Sequence, residues 1–427
     1  MRYRVLAVVA AAVALSVVAA TTAQSSRAAG HTLTVWLQVD AQNGWPEIVA
    51  AANTAFEKSH PGWNVDVQYQ QWTTHLQKFD ATIAGNDTPD VIEMGNTEMT
   101  KYMAAGAFTN ITADQGQFSN SKKWLTGMRA WGTYKGKLYG VPYYAGSRVI
   151  TYRSDLFKKA GFKKDPKSMS QFQKELVKVG KMEKHVKGFS PLYVGGEDWY
   201  TALGFVFDYG GSIAKEVHGK WVGTLDSKKS LAGLKRFKSF FNATQSKRTA
   251  TLDASGLGAG NPFPYTVFSQ GRTAANYGPA WYTCCTTAKG AKGRLDFTKV
   301  TKQFVMPSHT KGKPIPGFLG GSTLAVPSPS NSKSQAAAWI ADFTSTASEQ
   351  ALEKKGNIPN ATNLLGNSVN ERAAQRSWFV PQATHWVDVE NGNIIKTMLG
   401  QMLTGHLTVR QAARAASQNI AQTLNEP

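Results

Sequence analysis

Cysteine is all but missing from this chain: Cys284 and Cys285 are the only two, and they are adjacent. That excludes a disulfide framework and a cysteine-based zinc site. No cysteine lies near the amino terminus, which excludes a lipid-modified N-terminal cysteine. Long apolar runs are equally scarce. Beyond the first 30 or so residues no segment has the uncharged length needed to span a bilayer. Acidic residues are few, 28 Asp and Glu against 48 Lys and Arg, for a formal net charge of +20. Gly-X-Ser-X-Gly, His-Glu-X-X-His and phosphate-loop motifs are all absent, so the common nucleophile, zinc-hydrolase and nucleotide signatures have no footing. Gly256-Leu257-Gly258-Ala259-Gly260 is a turn-like run without the strand-and-helix context of a nucleotide site.

At 427 residues the chain is long enough for two or three domains, and 42% apolar with 18% charged residues is ordinary for a soluble globular protein. Arg2 and Arg4 precede the uncharged stretch Val5 to Ala23, and small residues follow. This reads as an export signal over residues 1–29, with cleavage after Ala23 or Ala29. A retained anchor is the alternative, and the Ala, Ser and Thr content favours cleavage. The mature chain is expected to be exported, extracellular or associated with the cell envelope, and periplasmic if the source is Gram-negative. Losing Arg2, Arg4 and Arg27 lowers the charge from +20 to +17. A basic balance suits nucleic acid, anionic cell wall or anionic lipid. Here the lysines are scattered in pairs (Lys122-Lys123, Lys158-Lys159, Lys228-Lys229). They read as a solvated face near an anionic envelope, with no nucleic-acid partner. For an exported protein, Cys284 and Cys285 favour a vicinal disulfide over the alternative of two free buried thiols.

Along the chain, Thr32 to Leu37 alternates as a strand, and Trp45, Ile48, Val49, Ala52 and Phe56 then fall at helical spacing behind Pro46. Val65, Val67 and Tyr69 predict a second strand, Leu76, Phe79 and Ile83 a second helix ending at Gly85, and Pro89 to Ile92 opens a third strand. This β-α-β-α-β order implies a parallel or mixed sheet covered by helices. Ser168 to Lys181 and Leu231 to Ala243 predict helices, with Gly- and Pro-rich turns from Gly256 to Pro264. Pro314 to Pro329 reads as a Gly-rich strand region, followed by one long helix from about Ser334 to Lys355. Thr408 and Gln411 form a capping box for a last helix whose apolar face runs from Val409 to Leu424.

Several segments, in order, resemble the extracellular solute-binding proteins of carbohydrate ABC importers, the group that includes maltose-binding protein. They are Ala81 to Gly85 with Pro89-Asp90-Val91, Ala104 to Phe108, Leu138-Tyr139-Gly140-Val141-Pro142, Tyr152 to Phe157, Gly317 to Pro327, and the helix from Ala336 to Gly356. The similarity is greatest to the actinobacterial branch that handles N-acetylglucosamine or chitin-derived oligosaccharides. The resemblance implies an α/β, periplasmic-binding-protein-like fold of two discontinuous lobes with the ligand cleft between them. Lobe 1 would comprise 30–145 plus 316–350, and lobe 2 would comprise 146–315 plus 351–427. It also implies capture of an oligosaccharide without turnover, hinge closure, and delivery to membrane permease subunits by a monomer that needs no cofactor and no metal. Many relatives outside Gram-negative bacteria are tethered by a lipidated cysteine; this chain lacks it, which puts the tether in question and not the binding.

Sugar binding needs flat apolar platforms for ring faces and planar polar groups for hydroxyls. In Gly195-Gly196-Glu197-Asp198-Trp199-Tyr200, Glu197, Asp198 and Trp199 resemble the family's acidic-aromatic contact; core packing for Trp199, and helix capping for the acids, are the rivals. Gly278-Pro279-Ala280-Trp281-Tyr282 resembles the segment that carries a stacking tryptophan and nominates Trp281. Pro381 to Trp386 nominates Trp386, against core burial for both. In the first lobe Asp40 follows the first strand, and Asn96, Thr97 and Glu98 follow the third, beyond carboxyl ends where open α/β sheets bind ligands. Tyr144 and Arg148 flank the crossover, with a structural ion pair as the alternative for Arg148. Gly320, Gly321 and Ser322 offer backbone N–H groups, and Trp72 and His75 are weaker candidates. Two other functions remain: a secreted glycoside hydrolase, and a same-fold protein for a non-sugar solute such as a polyamine or metal. A hydrolase needs two carboxyls about 5–10 Å apart across the scissile bond, and adjacent Glu197 and Asp198 make a poor pair.

Overall fold

The computed structural model describes residues 30–85, 87–244, 249–253, 264–283 and 297–426. The segment 1–29 that reads as an export signal, the Gly256 to Gly260 run and the Cys284-Cys285 pair lie outside the described residues.

The alternation of apolar residues produces the strands β1 (His31–Gln38), β2 (Trp63–Gln70), β3 (Val91–Gly95), β4 (Gly140–Gly146), β5 (Arg148–Arg153), β6 (Ala275–Pro279), β7 (Thr301–Phe304), β8 (Gly320–Ala325) and β9 (Ile358–Pro359). Side by side they form a six-stranded sheet, β9-β4-β8-β3-β1-β2, and a three-stranded sheet, β6-β5-β7. In the large sheet β1 is parallel to β2, from His31 opposite Trp63 to Gln38 opposite Gln70, and parallel to β3. Strand β8 runs antiparallel between β3 and β4. The carboxyl ends of β1, β2, β3 and β4 therefore meet the start of β8 along one edge. β3 is buried on both faces, as a strand covered by helices must be.

Each sheet carries its own core. Leu33, Val35, Val91, Tyr143, Trp339 and Phe343 belong to the first. Phe172, Trp199, Phe205, Phe237, Trp386 and Leu399 belong to the second. The chain leaves the first sheet at Gly146 and enters the second at Arg148, returns at Gly320, and departs finally after Pro359. Because Ile358 and Pro359 pair with Ala145 and Tyr144 of β4, the first sheet extends beyond residue 350. Before β4, Lys135 and Gly136 have φ of 47° and 76°, the left-handed pair that a tight two-residue hairpin turn requires.

The periodicities of helices Pro46–Ser59, His75–Gly85, Met169–Met182, Lys228–Thr244 and Val409–Leu424 are those read in the sequence. The Thr408–Gln411 capping box is formed reciprocally. The single long helix expected from Ser334 to Lys355 is instead two, Lys333–Phe343 and Thr346–Lys354. The physical cause is Ser345. Its backbone is extended and its hydroxyl accepts the N–H of Ser348, so it caps a new helix and breaks the old one. Among the described residues no helix is long and apolar enough to cross a membrane.

Candidate functional site

Between the two cores lies a cavity of about 660 Å³, within the range of small-ligand sites. Its first wall is the strand edge just described: Trp72 after β2, Asn96, Thr97 and Glu98 after β3, Tyr144 on β4, and Gly320 to Ser322 opening β8. The loops there are short, so the register of the parallel strands fixes where each side chain stands. The second wall is the start of helix Trp199–Asp208, Phe318, Asp253, and the segment from Val387 to Lys396.

Each polar group is held by a partner behind it. Glu98 accepts the Gly95 N–H at 2.7 Å and contacts His75 Nε2 at 3.0 Å. Burial works against charge on His75, but the Glu98 carboxylate and its hydrogen bond outweigh it and hold the imidazole pKa above its ordinary value. Trp72 donates its indole N–H to Asp40 at 2.5 Å, which fixes its ring at the cavity wall. Burial raises the Asp40 pKa, offset in part by that hydrogen bond. Below them, burial pushes the Glu93 carboxyl up to about 7 against the backbone hydrogen bond from Gln38.

Across the cavity, Glu390 accepts the Trp386 indole N–H at 2.5 Å and the Thr97 hydroxyl at 3.3 Å, so this acid bridges the two walls. Burial pushes its pKa up to about 8; the Trp386 hydrogen bond opposes the rise and nearby Glu98 adds to it. A second bridge joins Lys101 to Asp388 at 3.6 Å. Lys396 pairs with Asp253 at 2.6 Å. The rings of Trp199 and Tyr200 stack with centroids 4.0 Å apart, and Tyr200 lies 4.5 Å from Phe318. The site is thus an aromatic trough edged by carboxyl, amide and hydroxyl groups, which can stack one face of a flat ring and hydrogen-bond its rim.

Of the residues nominated from sequence, Trp72, Asn96, Thr97, Glu98, Tyr144, Trp199, Gly320, Gly321 and Ser322 line this cavity. Seven others do not stand among its described lining, one of them His75, held behind Glu98. Asp40 sits behind Trp72. Arg148 and Asp198 form a buried ion pair at 2.9 Å, with the guanidinium 5.1 Å from the Tyr200 ring centre. Asp198 also caps helix Trp199–Asp208 through Thr201. Both residues therefore carry the structural alternative stated for them. Glu197 packs on helix Ile394–Thr404, where its Oε1 would lie 2.5 Å from a Cβ added to Gly400. Trp281 packs against Tyr282 and Tyr265, at 4.8 and 6.2 Å between ring centres. Trp386 is 1% exposed, a core residue that anchors Glu390 instead of a platform. Sequence reasoning missed Tyr200, Phe318, Glu390, Asn393 and Lys396. A usable signal existed for Glu390 alone, four residues after Trp386 on one helical face.

A model of bacterial extracellular solute-binding proteins matches residues 38–350. The diacetylchitobiose binding protein DasA of Streptomyces coelicolor is 29% identical over 390 residues, spanning 88% of this chain and 86% of its own. Among solved structures, the GacH receptor of Streptomyces glaucescens, known unliganded and with acarbose, has a TM-score of 0.77 at 18% identity, covering 93% of this chain and 99% of its own. Maltose-bound MalE3 of T. maritima has a TM-score of 0.75 at 17% identity, covering 92% and 99%. At such identities the structural likeness establishes the fold, an α/β arrangement of two lobes around a cleft.

Proposed function

Because the chain belongs to the bacterial extracellular solute-binding protein family, we propose that it captures an oligosaccharide of the chitobiose class and hands it to the permease of an ABC importer, without chemical turnover. The observation that carries this reading is the trough itself. Trp72, Tyr144 and Tyr200 supply apolar ring surface, backed by the buried rings of Trp199 and Phe318, and Glu98, Asn96, Glu390 and Asn393 supply groups for hydroxyl and acetamido contacts. The relative at 29% identity is a diacetylchitobiose binding protein, which favours N-acetylglucosamine units over glucose.

The protein works as a monomer, exported by the segment 1–29 and retained near the envelope by its basic surface. Its lobes comprise 30–146 with 319–359, and 147–318 with the chain that follows 359, and the cleft closes on ligand by hinge motion about the three passages.

Tryptophan fluorescence and calorimetric titration against chitobiose, N-acetylglucosamine, maltose, cellobiose and xylobiose, with product analysis alongside, tests this. Saturable binding of chitobiose without released products is the expected result, and Tyr200→Ala and Trp72→Ala should each weaken it at least tenfold, about the worth of one lost aromatic platform. Released monosaccharide would indicate a glycoside hydrolase. Silence toward every sugar would turn the search to non-sugar solutes.

A further inference from the structure

Charge is divided unevenly between the two lobes. By sequence, residues 30–146 with 319–359 carry 11 Lys and Arg against 13 Asp and Glu, whereas residues 147–318 with 360–427 carry 34 against 15. The first lobe is close to neutral, and the second holds the whole positive excess of the mature chain. Solubility asks only for net charge, wherever it lies, so its concentration on one lobe calls for a cause of its own. It is densest in two stretches. Residues 158–187 hold ten lysines, all exposed, and Asp165 is the one exposed acid among them. Helix Lys228–Thr244 adds Lys228, Lys229, Lys235, Arg236 and Lys238 and no acid.

The two stretches make one face. In helix Met169–Met182 the side bearing Phe172, Leu176 and Val179 is buried in the second core, which turns Lys174, Lys178 and Lys181 to solvent in a row. Arg236 Nη1 donates to Gln173 Oε1 at 2.7 Å, so helix Lys228–Thr244 lies directly beside that row. Lys178 stands 5.4 Å from the Phe162 ring centre, which joins the row to the loop carrying Lys163 and Lys164. None of these residues lines the cleft. Like charges three and four positions apart weaken the helix that carries them, and an anionic partner relieves that repulsion.

The kind of anion follows from the side chains and the shape of the face. Arginine grips a discrete carboxylate or phosphate with its planar fork, whereas lysine is a hydrated point charge, and these stretches hold fourteen lysines to one arginine. The recess between Lys158, Lys163, Lys164 and Lys302 holds about 40 Å³ against about 660 Å³ for the cleft, and the carboxyls of Asp165 and Glu175 also line it. It offers no seat for a phosphate-bearing polymer chain. Many lysines on an open face suit a plane of fixed anionic headgroups, where each adds its attraction within a Debye length. No large apolar side chain is exposed in either stretch, so the contact is peripheral and nothing inserts. Resting on the reading that the exported chain stays at the envelope, we propose that this face of the second lobe docks the protein on an anionic lipid bilayer. The tether is made of charge alone and is reversed by salt.

The test is co-sedimentation of the full mature protein with vesicles of phosphatidylglycerol and phosphatidylcholine in equal parts, and with vesicles of phosphatidylcholine alone. Wild type should bind only the anionic vesicles and be released as salt rises from about 0.05 M to about 0.5 M. Joint Lys174→Glu, Lys178→Glu and Lys181→Glu should weaken binding about a hundredfold or more, each lysine being worth roughly fivefold at such a surface. Joint Lys122→Glu, Lys123→Glu and Lys137→Glu on the first lobe changes the net charge equally and should leave binding at the wild-type level. All six lysines are exposed, and none lines the cleft, so thermal melts and chitobiose titration should match wild type for both variants. Equal losses of vesicle binding in the two variants would overturn the choice of face in favour of a general effect of net charge. Wild type that ignores anionic vesicles but binds soluble polyphosphate would overturn the bilayer in favour of a wall polymer. Wild type that binds neither would refute retention by charge altogether.

Discussion

Replacing Glu390 by Gln should make the protein more stable at alkaline pH and leave it unchanged in acid. Glu390 is held by Trp386 and Thr97 and pushed from 4.5 to about 8 chiefly by burial. A carboxyl whose folded pKa exceeds its unfolded one binds more protons in the folded state at intermediate pH. Stability from this source is complete below pH 4.5 and is lost as the pH rises through about 8. At 1.36 kcal/mol per tenfold change in proton affinity, the full rise corresponds to roughly 5 kcal/mol. Water in the cavity that Glu390 lines screens about half of that, which leaves roughly 2–3 kcal/mol. A glutamine keeps both hydrogen bonds, accepting from Trp386 and donating to Thr97, and it has no proton to lose. Thermal melts of wild type and Glu390→Gln from pH 5 to pH 9 should therefore coincide at the acid end. At the alkaline end they should separate by about 5 °C, the variant higher. Glu93, pushed up to about 7, contributes a similar slope at lower pH in both proteins, so the difference between them isolates Glu390. Parallel profiles, or a variant less stable throughout, would refute the assignment of a raised pKa to this acid.

Other expectations follow from the same geometry. Asp198→Ala leaves the Arg148 guanidinium buried without its partner and removes a helix cap, so urea denaturation should show a loss of about 3–5 kcal/mol. Joint replacement of Arg148 and Asp198 by apolar residues should recover most of it. Trp199→Ala empties a site bounded by Phe318, Trp378 and Trp386. It should cost about 3–5 kcal/mol in chemical denaturation, in addition to weakening the sugar. Gly321→Ala would place a Cβ 2.2 Å from the Tyr144 carbonyl oxygen, so β8 could not stay against β4. The expected result is a melting temperature lowered by more than 5 °C, several kcal/mol being the usual cost of such a clash.

Much of the fold was legible because local signals and tertiary packing agree. Pro46 opens a helix that Phe56 anchors, and alternation at Val65, Val67 and Tyr69 matches a strand half-covered by helices. The helix break at Ser345 was harder to read, since apolar spacing runs on through it and one serine decides. At the site, the loop after β3 was found by the rule that ligands sit at carboxyl strand ends, whereas the same rule nominated Asp40 after β1, which sits behind Trp72. What could not be read is which aromatic faces the cavity. Trp199, Trp281 and Trp386 look alike in sequence, yet the first lines the cavity, the second packs on tyrosines, and the third is core. Orientation depends on which face of its element the rest of the lobe covers, and that is set by partners far away in the chain. Glu390 and Lys396 escaped for the same reason, being ordinary polar positions until helix Trp386–Asn391 is docked beside the turn at Thr97.

The first sheet has a further meaning for how the molecule comes into being. Its central strand β8 and its edge strand β9 are drawn from the last third of the chain, and Gly320 must find Gly146 across the whole intervening second sheet. Until residue 325 is present, β3 and β4 have no strand between them, each offering unpaired backbone groups. The amino-terminal lobe cannot be completed as it is made. Contacts of such long sequence separation close slowly, and a chain that emerges amino terminus first stays open until most of it has been synthesised. For an exported chain, as proposed above, that delay keeps the first lobe open, and the same strand order that builds the binding edge sets the interval.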